Sequence, residues 1–287
     1  MLTARLTVGT ILNLASAGLC LAVGARLARR DVQGPARRAA MAFSVWWMAL
    51  GVDATINSVT WLAGALGLAT ETLTAVLTYA ALAAVTVMLW GLVEYLVYLF
   101  TGRAGAFFPV AAAYVVAFLA GAAFIATLHP IGVTPRPYGG EIAYANQPSP
   151  GEALAFAVFF LLPPILGALA YGTLFFSAKG RTRRFRIGVV SLGIFVWFSS
   201  SIALSGTTVE SDALALSSFA ISIFCMLAIL AAYAPPAWMQ RWLRVTAIAS
   251  EPHPMPEALA ADAARREGAA ARARRRARLD ERVRDLV

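Results

Sequence analysis

Seven apolar stretches, each close to 20 residues or longer, run through this chain of 287 residues with only short polar joints between them. They occupy approximately residues 6–25, 41–63, 73–100, 106–128, 153–178, 187–209 and 213–234. A helix needs about 20 apolar residues to cross roughly 30 Å of hydrocarbon. Lipid offers no partner to a free amide or carbonyl, so only a helix satisfies such a run internally. The expected fold is therefore all-α: a seven-transmembrane-helix bundle. The third and fifth stretches exceed the minimum length and are expected to tilt or to project into the interface. Composition agrees, with 60% hydrophobic and 14% charged residues and a mean hydropathy of +0.70. A soluble globular domain carries about 25% charged residues.

Charge placement orients the bundle. Of the 24 Lys and Arg residues, 22 fall in the joints after stretches one, three and five or in the C-terminal tail. The opposite side keeps Arg5 and Arg136 beside Glu71, Glu141, Glu152, Glu210 and Asp212. Short loops rich in Lys and Arg stay cytoplasmic. The N-terminus is therefore expected outside and the C-terminus in the cytoplasm, in a multi-pass protein of the bacterial inner (cell) membrane. A net charge of +9 raises the question of nucleic acid, but basic residues bordering apolar spans set topology and meet anionic headgroups. The bilayer is the expected partner; nucleic acid is not. Arg5 ahead of an apolar run also fits a secretory signal. Cleavage would invert the charge alternation of everything that follows, and Leu19 before Cys20 spoils a lipoprotein site. The segment reads as a true first span.

Cys20 and Cys225 lie inside apolar stretches and read as small core residues rather than a disulfide. Trp46, Trp47, Trp61, Trp238 and Trp242 stand near span ends, where indoles favour the headgroup zone; Trp90 and Trp197 are deeper and should pack in the bundle. The long joint at 129–152 contains five prolines and is not a helix. It reads as a flexible connector, with a folded lid carrying Tyr138, Ile142 and Tyr144 as the alternative. Pro163 and Pro164 remove two backbone donors from stretch five and should kink it. After Pro235-Pro236 the run WMQRWLR suits an interfacial anchor. This divides the chain into a membrane domain with its juxtamembrane segment (1–245), a proline-rich linker (246–257) and a basic Ala/Arg-rich cytoplasmic helix (258–287). Leu279, Val283 and Leu286 mark one face of that last segment, which could self-associate or meet a partner.

Two carboxylates stand inside spans, where ionisable groups are costly and face the bundle interior or a wet cavity. Asp53 lies about 18 Å beyond Met41 at 1.5 Å per residue, near the midplane. Asn57 follows one turn outward on the same face and Thr60 continues the series. Glu94 is about 9 Å from the inner edge and is expected to be solvated or paired with a loop arginine such as Arg103. The functional reading makes Asp53 and Asn57 the floor of a pocket open to the outside. Asn13 and Tyr79 reach similar depths, and Ser200 and Ser222 could line the other wall for an unknown small ligand. The competing reading is that such groups only hold helices together.

Two histidines, His129 and His253, at opposite sides of the membrane, cannot build a metal or haem site, and no catalytic constellation can be placed. No cofactor and no enzymatic activity are expected. Microbial rhodopsins share the topology, but span seven has no lysine for a retinal Schiff base.

WGLVEYLVYLFTGR at 90–103, HPIGV at 129–133, RIGVVSLGIFVWFSSS at 186–201 and YAPPAWMQRWLR at 233–244 carry a resemblance. Over roughly residues 1–245 the chain resembles the N-terminal seven-helix sensor module of bacterial membrane signalling proteins, the type found in front of histidine kinases or cyclic-dinucleotide enzymes. The resemblance implies a sensor or receptor-like protein. No output domain follows residue 245, so a separate cytoplasmic signalling partner is expected. Two alternatives stay open: a proton-coupled permease relaying through Asp53 and Glu94, and a structural subunit of a membrane complex.

Overall fold

The structure is a computed structural model that describes residues 3–29, 35–101, 107–177, 184–185, 187–193, 196, 212–233 and 239. Six helices and one hairpin make up most of it: α1 (Ala4–Ala28), α2 (Pro35–Ala65), α3 (Glu71–Thr101), α4 (Phe107–Leu128), β1 (Pro130–Arg136), β2 (Gly139–Tyr144), α5 (Pro150–Ser177) and α6 (Asp212–Tyr233). Residues 187–193 are also helical. Five of the helices are long and apolar enough to cross a membrane. Ser200, Trp197, Trp238, Trp242, Arg103, the linker and the tail lie outside the described residues.

Local chemistry sets the helix ends. Thr3 caps α1, its hydroxyl accepting from the Leu6 amide at 3.2 Å. Thr70 does the same for α3 through Leu73, and Ser149 opens α5; each satisfies an orphan first-turn donor. Helix α2 ends in a Schellman motif. Leu68 donates its amide to the Ala63 carbonyl (2.9 Å) and Gly67 to Gly64 (3.2 Å). Gly67 sits at φ +71°, a conformation that costs a residue with a Cβ.

Helices α1, α2 and α3 run alternately up and down and form the centre. Glycines let them approach closely: a Cβ on Gly24 would lie 2.6 Å from Met48 Cγ, one on Gly51 2.9 Å from the Ala17 carbonyl, and one on Gly91 2.6 Å from the Ala42 carbonyl. Such small-residue crossings are the usual device where helices pack without a water-driven force. Helix α6 lies parallel to α1 and in register with it. Arg5 meets Asp212 at 2.7 Å, and Cys20 Sγ meets Met226 Sδ at 3.7 Å. Helix α5 packs on α3, with Gly167 against Leu92 and Leu96.

The main core lies at the end of the bundle away from the hairpin. Phe43, Trp46, Trp47, Tyr95 and Tyr98 are all buried there. Phe43 stacks on Trp46 (5.3 Å between ring centroids) and on Tyr95 (4.5 Å), at the separations aromatic pairs favour. This corrects the expectation that Trp46 and Trp47 stand in the headgroup zone, because both indoles point inward. Trp90 packs against the same core, and Cys20 and Cys225 are buried as expected. The opposite surface is apolar. On α4, Phe108 is 79% exposed and Val116 66%, far more contiguous apolar exposure than water tolerates.

The 129–152 joint is not a flexible connector. Its centre is an antiparallel hairpin closed by a two-residue turn at Pro137-Tyr138, with Arg136 opposite Gly139 and a bulge between Pro130 and Gly132. His129 turns the chain out of α4 at φ +54°, a left-handed geometry rare for a residue with a Cβ. The hairpin folds back over the ends of α1, α2 and α3. A Cβ on Gly9 would lie 2.2 Å from the Tyr138 carbonyl oxygen, and one on Gly64 2.7 Å from Val133. Burial against this surface pushes the Tyr144 hydroxyl above the ordinary tyrosine range.

Candidate functional site

On α2, Asp53, Asn57 and Trp61 fall at successive i, i+4 positions and make one column along the helix. The Asn57 amide donates Nδ2–H to Asp53 Oδ2 at 3.1 Å. That is the one hydrogen bond to the Asp53 carboxylate among the described residues, and no arginine, lysine or histidine pairs with it there. Both residues are half-buried.

Asn13 reaches α2 beside the column, from α1. Its Nδ2 donates to the Ala54 carbonyl (2.8 Å) and to Ser58 Oγ (3.0 Å). One amide thus bridges two helices, with Ser58 completing its own bond to the Ala54 carbonyl at 3.0 Å. Asn13 is placed as a clamp holding α1 against the polar face of α2. Ser58, fully buried, was not singled out from sequence; its position one turn from Ala54 and beside Asn57 was the available signal. The Thr60 hydroxyl turns back onto its own helix, donating to Ile56.

Tyr79 on α3 reaches the same level. Gly91 crosses α2 at Ala42 and Trp46, and twelve residues back along α3 brings Tyr79 to the depth of Asn57 and Ser58, eleven and twelve residues on from Trp46. It is half-buried. Ser222 belongs to a different interface: α6 packs chiefly on α1, and Ser222 lies one turn from the Cys20–Met226 contact. Pro163 and Pro164 lie inside α5. With Tyr114, Leu154, Val158 and Phe159, Pro163 lines an open apolar groove of ≈ 630 Å³ between α4 and α5.

Glu94 stands apart from this set. It is buried, 5% exposed, which sets aside the solvated alternative, while Arg103, the loop arginine of the other alternative, lies outside the described residues. Its Oε2 has no hydrogen-bond partner among the described residues, and the Arg38 guanidinium in the first turn of α2 lies near enough to act on it electrostatically. The antiparallel α2–α3 crossing brings the two to one level, since one turn beyond Ala42 and Gly91 lie Arg38 and Glu94.

The hairpin closes the column at its other end. Ideal Cβ atoms on Gly139 and Gly140 would lie 3.3 Å and 3.0 Å from the Trp61 ring, so the turn lies flat on the indole. Gly9, under the Tyr138 carbonyl, is one helical turn from Asn13. The hairpin is held at its base by Glu71 on α3, whose Oε1 is 2.9 Å from His129 Nε2, and Arg136 pairs with Glu141 across the strands. No group of three or more His, Cys, Asp or Glu among the described residues is placed to hold a metal. No known family model matches the chain, and no curated protein is similar to it in sequence.

Proposed function

We propose that this protein is an integral membrane sensor or receptor-like protein, a seven-span bundle with its hairpin end outside and its basic end and tail in the cytoplasm. The observation that carries the reading is the polar column Asp53–Asn57, set within a largely apolar bundle and ending beneath a docked hairpin. A carboxylate without a compensating cation is expensive inside a bilayer, and such groups mark functional sites. The seventh span is supported by direction. Helix α5 ends at the side opposite to that where α6 starts, and residues 187–193 pack between them, Gly188 against Phe175 and Gly193 against Ile229. Orientation is supported by charge. Arg5 and Arg136, at the hairpin end, are both paired with acids, whereas Arg26, Arg29, Arg37 and Arg38 cluster at the other.

Signal transfer would run from the column through α1 and α6 to the inner helix ends, with Pro163 and Pro164 as the hinge in α5. The output would pass to a separate cytoplasmic partner through residues 258–287, either directly or by self-association of that segment. A proton relay is less favoured, because Asp53 bonds to Asn57 while Glu94 sits with Arg38 nearer the other end.

The test is Asp53→Asn in nanodiscs, followed by hydrogen exchange. The expected outcome is altered exchange at residues 172–177 and 229–233, far from the substitution. A change confined to the neighbours of residue 53 defeats the sensor reading. Proton flux in proteoliposomes that stops with the same substitution would replace it with a transporter. Reporter fusions placing residue 250 in the periplasm would overturn the orientation.

A further inference from the structure

We infer that the Asp53–Asn57 column is a binding site for a small organic cation, a primary amine or quaternary ammonium, and that the hairpin turn is a roof that must lift off Gly9 and Trp61 to admit it. The inference rests on the reading of the column as a ligand site and adds the ligand's chemistry and its route.

The chemistry follows from what Asp53 lacks. One carboxylate oxygen accepts from Asn57, and no cation among the described residues balances the charge. An ionised carboxylate inside the bundle is stabilised by hydrogen bonds and a counter-charge together. Asn57 supplies the first and a ligand ammonium would supply the second. Trp61, next in the column, has the ring whose face attracts cations. At present the Gly139-Gly140 backbone occupies that surface. Roof and ligand would thus compete for one indole, and arrival of the cation would favour the lifted state by the difference in its affinity for the two.

The route follows from packing. Around the turn the hairpin rests on the bundle at Gly9 beneath the Tyr138 carbonyl, at Gly64 beneath Val133 and at Trp61 beneath Gly139 and Gly140. None of these contacts is covalent or charged, and the charged link, Glu71–His129, is at the base of the hairpin rather than at the turn. The turn can therefore swing while its base stays attached.

The experiment uses the full chain in nanodiscs, which exposes both faces and makes the result independent of orientation. In a Cys20→Ala, Cys225→Ala background, Asn57→Cys is the reporter. The probes are trimethylammonioethyl methanethiosulfonate, a cation, and sulfonatoethyl methanethiosulfonate, an anion. Gly9→Leu removes the space for the Tyr138 carbonyl and should displace the turn; Gly64→Leu pushes at Val133 and does so from the other side. Either is expected to raise the cationic labelling rate about tenfold, equivalent to about 1.4 kcal/mol of roof closure. With each rate divided by that of the same reagent with a free thiol in water, the cation should be favoured about tenfold over the anion, and Asp53→Asn should remove that preference. Equal labelling with the turn seated and displaced by both variants would overturn the roof. Equal normalised rates for the two reagents with Asp53 present would overturn the cation site. Neither result depends on the exchange experiment that tests the sensor reading, so the two failures are distinguishable.

Discussion

The two ends of this bundle are built on different physics. At the basic end α2 and α3 meet through aromatic rings packed on one another, with Phe43, Trp46, Trp47, Tyr95 and Tyr98 buried and Gly91 seated against backbone. At the hairpin end α2 is joined to α1 by an amide and a hydroxyl, Asn13 to Ala54 and Ser58, and carries its own Asn57–Asp53 bond, under a cover that is held mainly by van der Waals contact. The first arrangement is dispersion-rich and directionless, and it tolerates no change of volume. The second depends on a few directional bonds that can be exchanged for others. The proposed binding site falls in the second and the anchoring contacts in the first, so a ligand at the column would rearrange one half while the other keeps the helices in register.

The largest test of this contrast is Trp46→Ala. Trp46 is 2% exposed and contacts both Phe43 and Trp47. Truncating a buried Trp to Ala costs about 3–5 kcal/mol, so the variant should lose most of its folded population. Thermal unfolding in detergent reads this directly. A shift no larger than that of a substitution on the lipid-facing surface of α4, such as Val116→Ala, would show that the aromatic cluster is not the anchor.

Six of the seven apolar runs each match one described helix to within six residues, among them 6–25 against Ala4–Ala28, 41–63 against Pro35–Ala65 and 213–234 against Asp212–Tyr233. Hydrocarbon length dictates those boundaries, and caps such as Thr3 and Gly67 adjust them. The hairpin was harder. Pro130, Pro135 and Pro137 read as connector residues, yet all three suit a two-stranded sheet with only edges, where a missing amide costs little. The short alternations Ile131-Gly132-Val133-Thr134 and Ile142-Ala143-Tyr144 around Gly139-Gly140 were the signal for it. Asp53 and Asn57 were legible because a midplane acid stands out. Asn13 was legible by depth, but its role as a clamp on Ser58 was not, since side-chain partners across helices leave no mark on periodicity. The tryptophans misled because span ends and core ends coincide in sequence, and only the fold says which way an indole faces.

A smaller effect is expected on the polar side. Asn13→Ala deletes two interhelical hydrogen bonds but leaves α1 and α2 packed through Gly51 and Gly24. Interhelical hydrogen bonds in membranes average about 0.6 kcal/mol and reach about 1.7, so a loss of about 1 kcal/mol is expected. In a double-mutant cycle with Ser58→Ala the two changes should be non-additive, because they remove one shared bond. Full additivity would mean that Asn13 does not clamp α2 through Ser58, and the contrast between the halves would weaken.

The smallest effect lies at the start of α5. Ser149 and Glu152 form a reciprocal capping box: the Ser149 amide and hydroxyl both donate to Glu152 Oε2, at 3.0 and 2.7 Å, and the Glu152 amide donates to Ser149 Oγ at 3.4 Å. These bonds are made to the ionised carboxylate and hold it below the ordinary glutamate range, the Ser149 hydroxyl contributing most. A group whose folded value is lowered adds stability that is complete above the ordinary value and is lost as pH falls toward the folded one. The first turn of α5 should therefore show higher protection of its amides, measured against the intrinsic exchange rate at each pH, near neutrality than in acid, at Glu152 and Ala153 before the rest of the helix. Glu152→Gln should make that local protection independent of pH over the same window. The side chain is fully solvated, so the change should stay within one turn and leave the unfolding midpoint unmoved. An acid transition that spread from residue 152 into the aromatic end would show instead that the two halves unfold as a single unit and that the contrast between them is only one of composition.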